Sequence, residues 1–266
     1  MLRFPRVLWS HRELWWRLTE REVLGRYRGS LLGMSWSFLN PLAMLAVYTF
    51  VFSQVFKARW GGLENAGPLG FAANLFAGLI VFNLIAECIN QTPGVIVANP
   101  NYVKKVIFPL EILPCVKVAG ALFQAATSLV VLGIFRLLSD HSLPGSALWL
   151  PLVWLPLTMG CLAVSWILAS LGVFLRDISQ FMTVLTSMLM FLSPIFYPAS
   201  ALPARLQPLL AISPITQVIE QTRNVLLMNQ SPSLPYIIIG TMLSVLAAEI
   251  GLRVFLRSKR AFADVI

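Results

Sequence analysis

The stretch Arg26-Tyr27-Arg28-Gly29-Ser30-Leu31-Leu32-Gly33-Met34-Ser35-Trp36-Ser37-Phe38-Leu39-Asn40-Pro41-Leu42 decides how this chain must fold. It leaves an arginine pair and enters a run with no charged side chain from Leu31 to Phe56. As one helix rising about 1.5 Å per residue, that run reaches roughly 39 Å, enough to cross a bilayer core of about 30 Å with some tilt. Apolar runs of this kind with basic ends recur along the chain, so it reads as a polytopic membrane protein.

Composition agrees. The 266 residues are 58% hydrophobic and 12% charged, with a mean hydropathy of +0.77; soluble domains carry about 25% charged residues. The net charge of +9 does not point to nucleic acid. Its lysines and arginines sit at the ends of apolar runs, where they orient membrane helices, and form no patch on a soluble fold. Cys88, Cys115 and Cys161 lie singly in apolar surroundings, and His11 and His141 stand alone, so neither metal nor disulfide is expected. The first long apolar run follows seven arginines and exceeds the length of a signal-peptide core, so no cleaved leader is expected.

Six spans are expected, at about 31–57, 70–91, 109–137, 147–174, 178–198 and 235–256. With both termini inside, the outer connections hold only Lys57, Arg59, Arg136, Arg205 and Arg223 of the 20 basic residues. The asymmetry favours cytoplasmic termini, and an even number of spans agrees. Residues 1–30 place Trp9, Trp16, Val23 and Tyr27 on one helical stripe, with Arg17, Arg21 and Arg28 beside it. That suits an amphipathic helix in the inner interface; the alternative is a basic leader that only sets orientation.

The stretch 199–233 is chopped by prolines into pieces too short to span. After a Ser213 cap and Pro214, Ile215, Val218, Ile219, Val225 and Leu226 share a face, and Gln217, Glu220, Gln221 and Asn224 fall mostly on the other. Two readings stand: short half-helices dipping into the outer leaflet, or an outer loop with one surface helix. Lys117 and Glu87 lie within spans, where ionisable residues are functional candidates; a Glu87–Lys117 pair is compatible with their depth. Glu20 and Glu22 read as solvated charge, and Glu249 with Arg253 as a local pair four residues apart.

These residues carry a resemblance. Arg26 to Gly33 followed by Trp36 and Asn40-Pro41-Leu42, then Val103-Lys104-Lys105-Val106-Ile107-Phe108-Pro109-Leu110-Glu111-Ile112-Leu113-Pro114, Phe174-Leu175-Arg176-Asp177-Ile178 and Ser193-Pro194-Ile195-Phe196-Tyr197-Pro198 resemble, in order, the ABC-2 type permeases that export O-antigen, capsule or teichoic acid polysaccharides. The resemblance implies an all-α membrane protein with residues 1–30 as a cytoplasmic interfacial segment and 31–266 as a six-span domain. Within it, 91–108 would be the ATPase-coupling loop and 199–233 the re-entrant outer gate helices. It further implies a homodimer with two copies of a separate ABC ATPase in the bacterial inner membrane. The chain has no GxxxxGK[ST] phosphate loop, so ATP and Mg belong to that partner and no cofactor is expected here.

On that resemblance, Asn99, Asn101, Tyr102, Lys104 and Lys105 would contact the ATPase, with Arg176 and Asp177 as a second point; a plain basic inner loop is the other reading. Phe38, Tyr48, Phe52 and Phe56 of the first span, with Phe191, Phe196 and Tyr197 of the fifth, would line a channel that stacks sugar faces, or else pack against neighbours and lipid. Arg26 and Arg28 would attract the diphosphate of a lipid-linked polysaccharide, or simply fix topology. A drug or small-lipid ABC-2 permease is the nearest alternative. A membrane enzyme acting on polyprenyl-linked sugars is disfavoured, because the 11 acidic residues are scattered.

Overall fold

The computed structural model describes residues 4–52, 67–104, 108–140, 144–198, 203, 205 and 207–266. They form α1 (Phe4–Ser10), α2 (Arg12–Tyr27), α3 (Trp36–Phe50), α4 (Gly67–Gln91), α5 (Pro100–Val103), α6 (Ile112–Asp140), α7 (Leu150–Phe174), α8 (Ile178–Leu192), α9 (Gln207–Ile212), α10 (Pro214–Leu227), α11 (Leu234–Ser258) and α12 (Phe262–Val265). No strand occurs among the described residues. Among the described residues, four helical segments are long and apolar enough to cross a membrane: Leu69–Gln91, Ile112–Ser139, Gly145–Phe174 and Leu234–Val265. Helix α8 is a shorter apolar helix.

The first expected span begins later than its hydropathy suggests. Gly29 (φ 85°) and Gly33 (φ 51°) take left-handed backbone, a conformation that costs glycine little and other residues more. They build an elbow of turns and one 3-10 turn, Gly33–Ser35, before α3 starts. Helix α3 has 15 residues, about 22 Å, and runs into a π turn at 51–52; the expected end at 57 lies outside the described residues. The fifth expected span also shortens: α8 stops at Leu192, and Ser193–Pro198 form turns. Pro194 has no amide hydrogen to continue the ladder and disfavours helical backbone at Ser193, which is extended (ψ 149°).

The longest seam joins α7 and α11. A Cβ on Gly251 would lie 2.6 Å from the Ala163 carbonyl oxygen, so the two backbones touch through a glycine. One on Gly172 would overlap the Pro93 carbonyl oxygen, seating the turn after α4 against α7. Trp166, fully buried, donates its indole N–H to the Glu111 carbonyl at 2.9 Å and ties α7 to the start of α6.

Both termini meet at one end of this bundle, here the terminal end. The Phe4 amide donates to Glu249 Oε2 at 3.3 Å on α11. Glu249 also pairs with Arg253 at 2.9 Å, as the four-residue spacing requires. At the other terminus, buried Phe262 packs edge-on against Phe255 (5.5 Å between centroids) and beside Phe174 (6.0 Å), and Lys259 reaches Glu111 at 2.8 Å.

Gly251→Ala should therefore cost about 1–3 kcal/mol through overpacking. Gly240→Ala on the same helix meets Pro156 at an ordinary 3.5 Å and should be tolerated. Thermal unfolding of the two purified variants in one detergent checks this; equal midpoints would show that the seam is loose.

Candidate functional site

Opposite the terminal end, α10 lies against α4 and α7. Its Arg223 is 2% exposed. The guanidinium donates to the carbonyls of Asn74 (3.0 Å), Pro194 (2.7 Å) and Ile195 (3.0 Å), and Glu220 stands 3.9 Å away. Asn74 is five residues into the apolar run of α4, and Gly78, whose Cβ would come 2.7 Å from Arg223 Nη2, is four further. The cation thus sits about 8–14 Å along that helix. Trp154 donates to Thr222 Oγ1 (3.1 Å) and Ser146 Oγ to the Val225 carbonyl (2.7 Å), fixing α10 to α7 and the turn before it. Of the face expected to be polar, Gln221 is buried, its amide oxygen accepting the Ser233 N–H at 2.9 Å at the start of α11.

At the terminal end, α2 is bolted to the bundle by charge. Lys117 pairs with Glu22 at 2.6 Å, and Arg26 bridges Glu22 (3.6 Å) and Glu87 (2.5 Å). The partners of Glu87 and Lys117 therefore differ from the direct pair their depth allowed: α2 supplies one counter-ion to each, and Glu22 is bound, not solvated. A Cβ on Gly120 would meet Arg26 Nη2 at 2.8 Å, which explains how α2 approaches α6 so closely. Tyr27 donates to Gln124 Oε1 at 2.9 Å; burial raises its phenol above the ordinary value and keeps it a neutral donor. The expected aromatic stripe splits. The N-terminal helix breaks at His11, Trp9 and Trp16 stay 72% and 66% exposed, and Val23 is buried against the bundle. Arg28 is exposed, while Arg26 is committed to its two carboxylates.

In the 91–108 loop, Asn101 of the one-turn helix α5 and Lys104 just after it are exposed, while Asn99 bonds back to the Val95 carbonyl at 2.9 Å. Tyr102 accepts from Arg21 Nη2 (2.9 Å) and stacks on Phe108 at 4.2 Å, so α2 roofs this loop. Arg176 and Asp177 are exposed at the same end, beside the start of α8. Lys105 lies outside the described residues.

The expected aromatic set divides among three settings. Phe38 is 44% exposed on α3, Phe52 stacks on Phe71 at 5.2 Å, and Tyr48 lines a cleft between α3, α4 and α6. Phe56 lies outside the described residues. Phe191, 66% exposed, stacks on Phe196 (5.9 Å) and its carbonyl accepts the Tyr197 hydroxyl (3.0 Å), so these three do assemble at the end of α8. The cleft has a volume of about 150 Å³, and Asn40, Asn83, Glu87, Gln124 and Ser128 join Tyr48 in its wall. Among the described residues no cluster of His, Cys, Asp and Glu is arranged to hold a metal.

Residues 13–227, which include α2, the 91–108 loop and α10, match the family described as ABC-2 type transporter. The chain belongs to that family. Two Klebsiella pneumoniae proteins, each named O-antigen export system permease protein RfbA, are 26% and 25% identical to it over 252 residues, spanning 94% of this chain and 93% of each relative. A Myxococcus xanthus protein of the same name is 25% identical over 268 residues and the full length of both. As a multi-pass ABC-2 transporter, the chain must satisfy every backbone break inside its bundle, and Arg223 does this in a way the sequence did not signal. The residue reads there as one more outer-side charge. The only hint was its position within an otherwise amphipathic segment.

Arg223→Met should cost about 3–5 kcal/mol, because it leaves buried carbonyls without their charged donor. Arg223→Lys, which keeps the charge and loses the fork, should fall between. Melting of the two variants against wild type checks the order.

Proposed function

We propose that this chain is the membrane permease of an exporter that carries a lipid-linked polysaccharide, O-antigen in the first instance, across the cytoplasmic membrane. The observation that carries the reading is the end-to-end likeness to O-antigen export permeases, 100% of both chains in the Myxococcus relative. Energy comes from ATP hydrolysed in a separate ABC subunit, two copies of which pair with a permease homodimer. Both termini face the cytoplasm; the arginine-rich terminal end supports that orientation. In this reading α3, α4, α6, α7, α8 and α11 make six passes, and α9 and α10 are half-helices entering the outer leaflet. The depth of Arg223 along α4 supports the half-helix assignment.

In this scheme Asn99, Asn101, Tyr102 and Lys104 dock the ATPase, with Arg176 and Asp177 as a second contact. Because Arg21 holds Tyr102, a push on the loop is delivered to α2 and through Arg26 to α4. Arg28 is the exposed cation at the elbow and meets the cargo diphosphate; Arg26 joins it only when Glu87 lets go. Aromatic rings at Phe38, Tyr48, Phe191, Phe196 and Tyr197 offer faces for sugar stacking.

Export is tested by deleting the gene in its host: polymer should accumulate inside, and reach the surface again only when this chain and its ATPase are both restored. Arg28→Gln should lower cargo-stimulated ATP hydrolysis several-fold and leave basal hydrolysis near wild type, since the side chain is exposed and makes no ion pair among the described residues. Equal losses in both rates would mean the charge serves topology alone.

A further inference from the structure

The cleft between α3, α4 and α6 contains hydrogen-bonding groups that the chain itself does not use. Among the described residues, the carboxamides of Asn40 and Asn83 and the hydroxyl of Tyr48 make no side-chain hydrogen bond. Their neighbours in the wall are engaged. Gln124 accepts from Tyr27, Ser128 donates to the Gln124 carbonyl at 2.9 Å, and Glu87 is held by Arg26 and by Gln91 at 3.2 Å. Asn40 and Asn83 are exposed and Tyr48 is half-buried, so at membrane depth these three groups of one cleft are costly against lipid and are satisfied by a polar guest. Asn83 is eight residues from the end of α4, about 12 Å along the helix, so the guest sits well inside the bundle end.

The rest of the lining is largely apolar. Met44 lies between Asn40 and Tyr48 on α3, and Phe76, Leu79 and Ile80 lie on the turns of α4 before Asn83. A lining that interleaves donors and acceptors with rings and methyls suits a pyranose, whose hydroxyls fan from its rim and whose C–H groups form a face. The volume of about 150 Å³ equals that of roughly five water molecules, the scale of a single ring.

We infer that this cleft is a saccharide subsite that takes a single sugar ring, with Asn40, Asn83 and Tyr48 holding its hydroxyls and the Arg26–Glu87 pair closing its inner end. This rests on the polysaccharide reading above and adds to it a defined place where one residue of the glycan is held.

The test puts a photoreactive benzoylphenylalanine at Met44 in the full chain, co-expressed with its ATPase in cells making the polymer. A control places it at Met242, 64% exposed on α11 and outside the cleft. Irradiation should give a glycan-bearing adduct at position 44 and none at 242. Asn40→Leu with Asn83→Leu should reduce the adduct about tenfold at unchanged chain level and ATPase association, as expected for two lost hydrogen bonds. The adduct in the otherwise wild-type background decides the matter even where the double variant fails to assemble. If export needs this chain but position 44 yields no glycan adduct, or only a link to a second copy of the chain, the subsite is refuted and the exporter reading stands. If the polymer crosses the membrane without this chain, the exporter reading falls, and the subsite with it.

Discussion

A guanidinium with almost no exposure holds the opposite end of this protein together. Inside a bilayer, a broken helix is tolerated only where something replaces the water its carbonyls would have found. Proline at 194 ends α8 in that environment, and the carbonyls of Pro194 and Ile195 turn inward. Arg223 takes both and also reaches Asn74, so one side chain joins three elements distant in sequence. Arginine suits the task because its planar fork aims several donors at once and its charge strengthens each bond. With that post in place, α10 packs on α4 and α7, and the start of α11 is set through Gln221.

The terminal end solves a related problem with paired charges. Two cations and two carboxylates from α2, α4 and α6 cancel one another, at side-chain exposures of 17–23%. Neutral in sum, the group can sit where single charges would be costly. It also places α2 in series with the exposed loop, since Arg21 touches Tyr102 on the same helix that carries Glu22 and Arg26. Helix α2 is therefore tied into the bundle by ion pairs and does not lie loose on its surface.

Much of the helical layout was legible because it follows from hydropathy and proline. The long apolar runs became α4, α6, α7 and α11, and the proline-rich 199–233 stretch gave the short helices α9 and α10. What was not legible depended on contacts between distant segments. Leu31 and Leu32 are apolar enough to join the first span, yet the glycine backbone on either side of them makes an elbow. Glu22 looked like surface charge because its partner Lys117 is 95 positions away. Phe38, Tyr48 and Phe52 shared a helical face on paper, but neighbouring helices assign them different surroundings, which a wheel drawn for one helix does not represent.

The glycine at 251 has a mechanical meaning. Where backbone meets backbone at the Ala163 carbonyl, sliding α11 along α7 by one position would bring Ile250 or Leu252 into a space sized for hydrogen. The two helices consequently act as a single strut. The two breaks beside the shorter apolar helices differ in the same respect: Ser193–Pro198 is clamped by Arg223, whereas Ser30–Ser35 is largely exposed and its glycines are uncrowded, so the room to pivot lies at the start of α3.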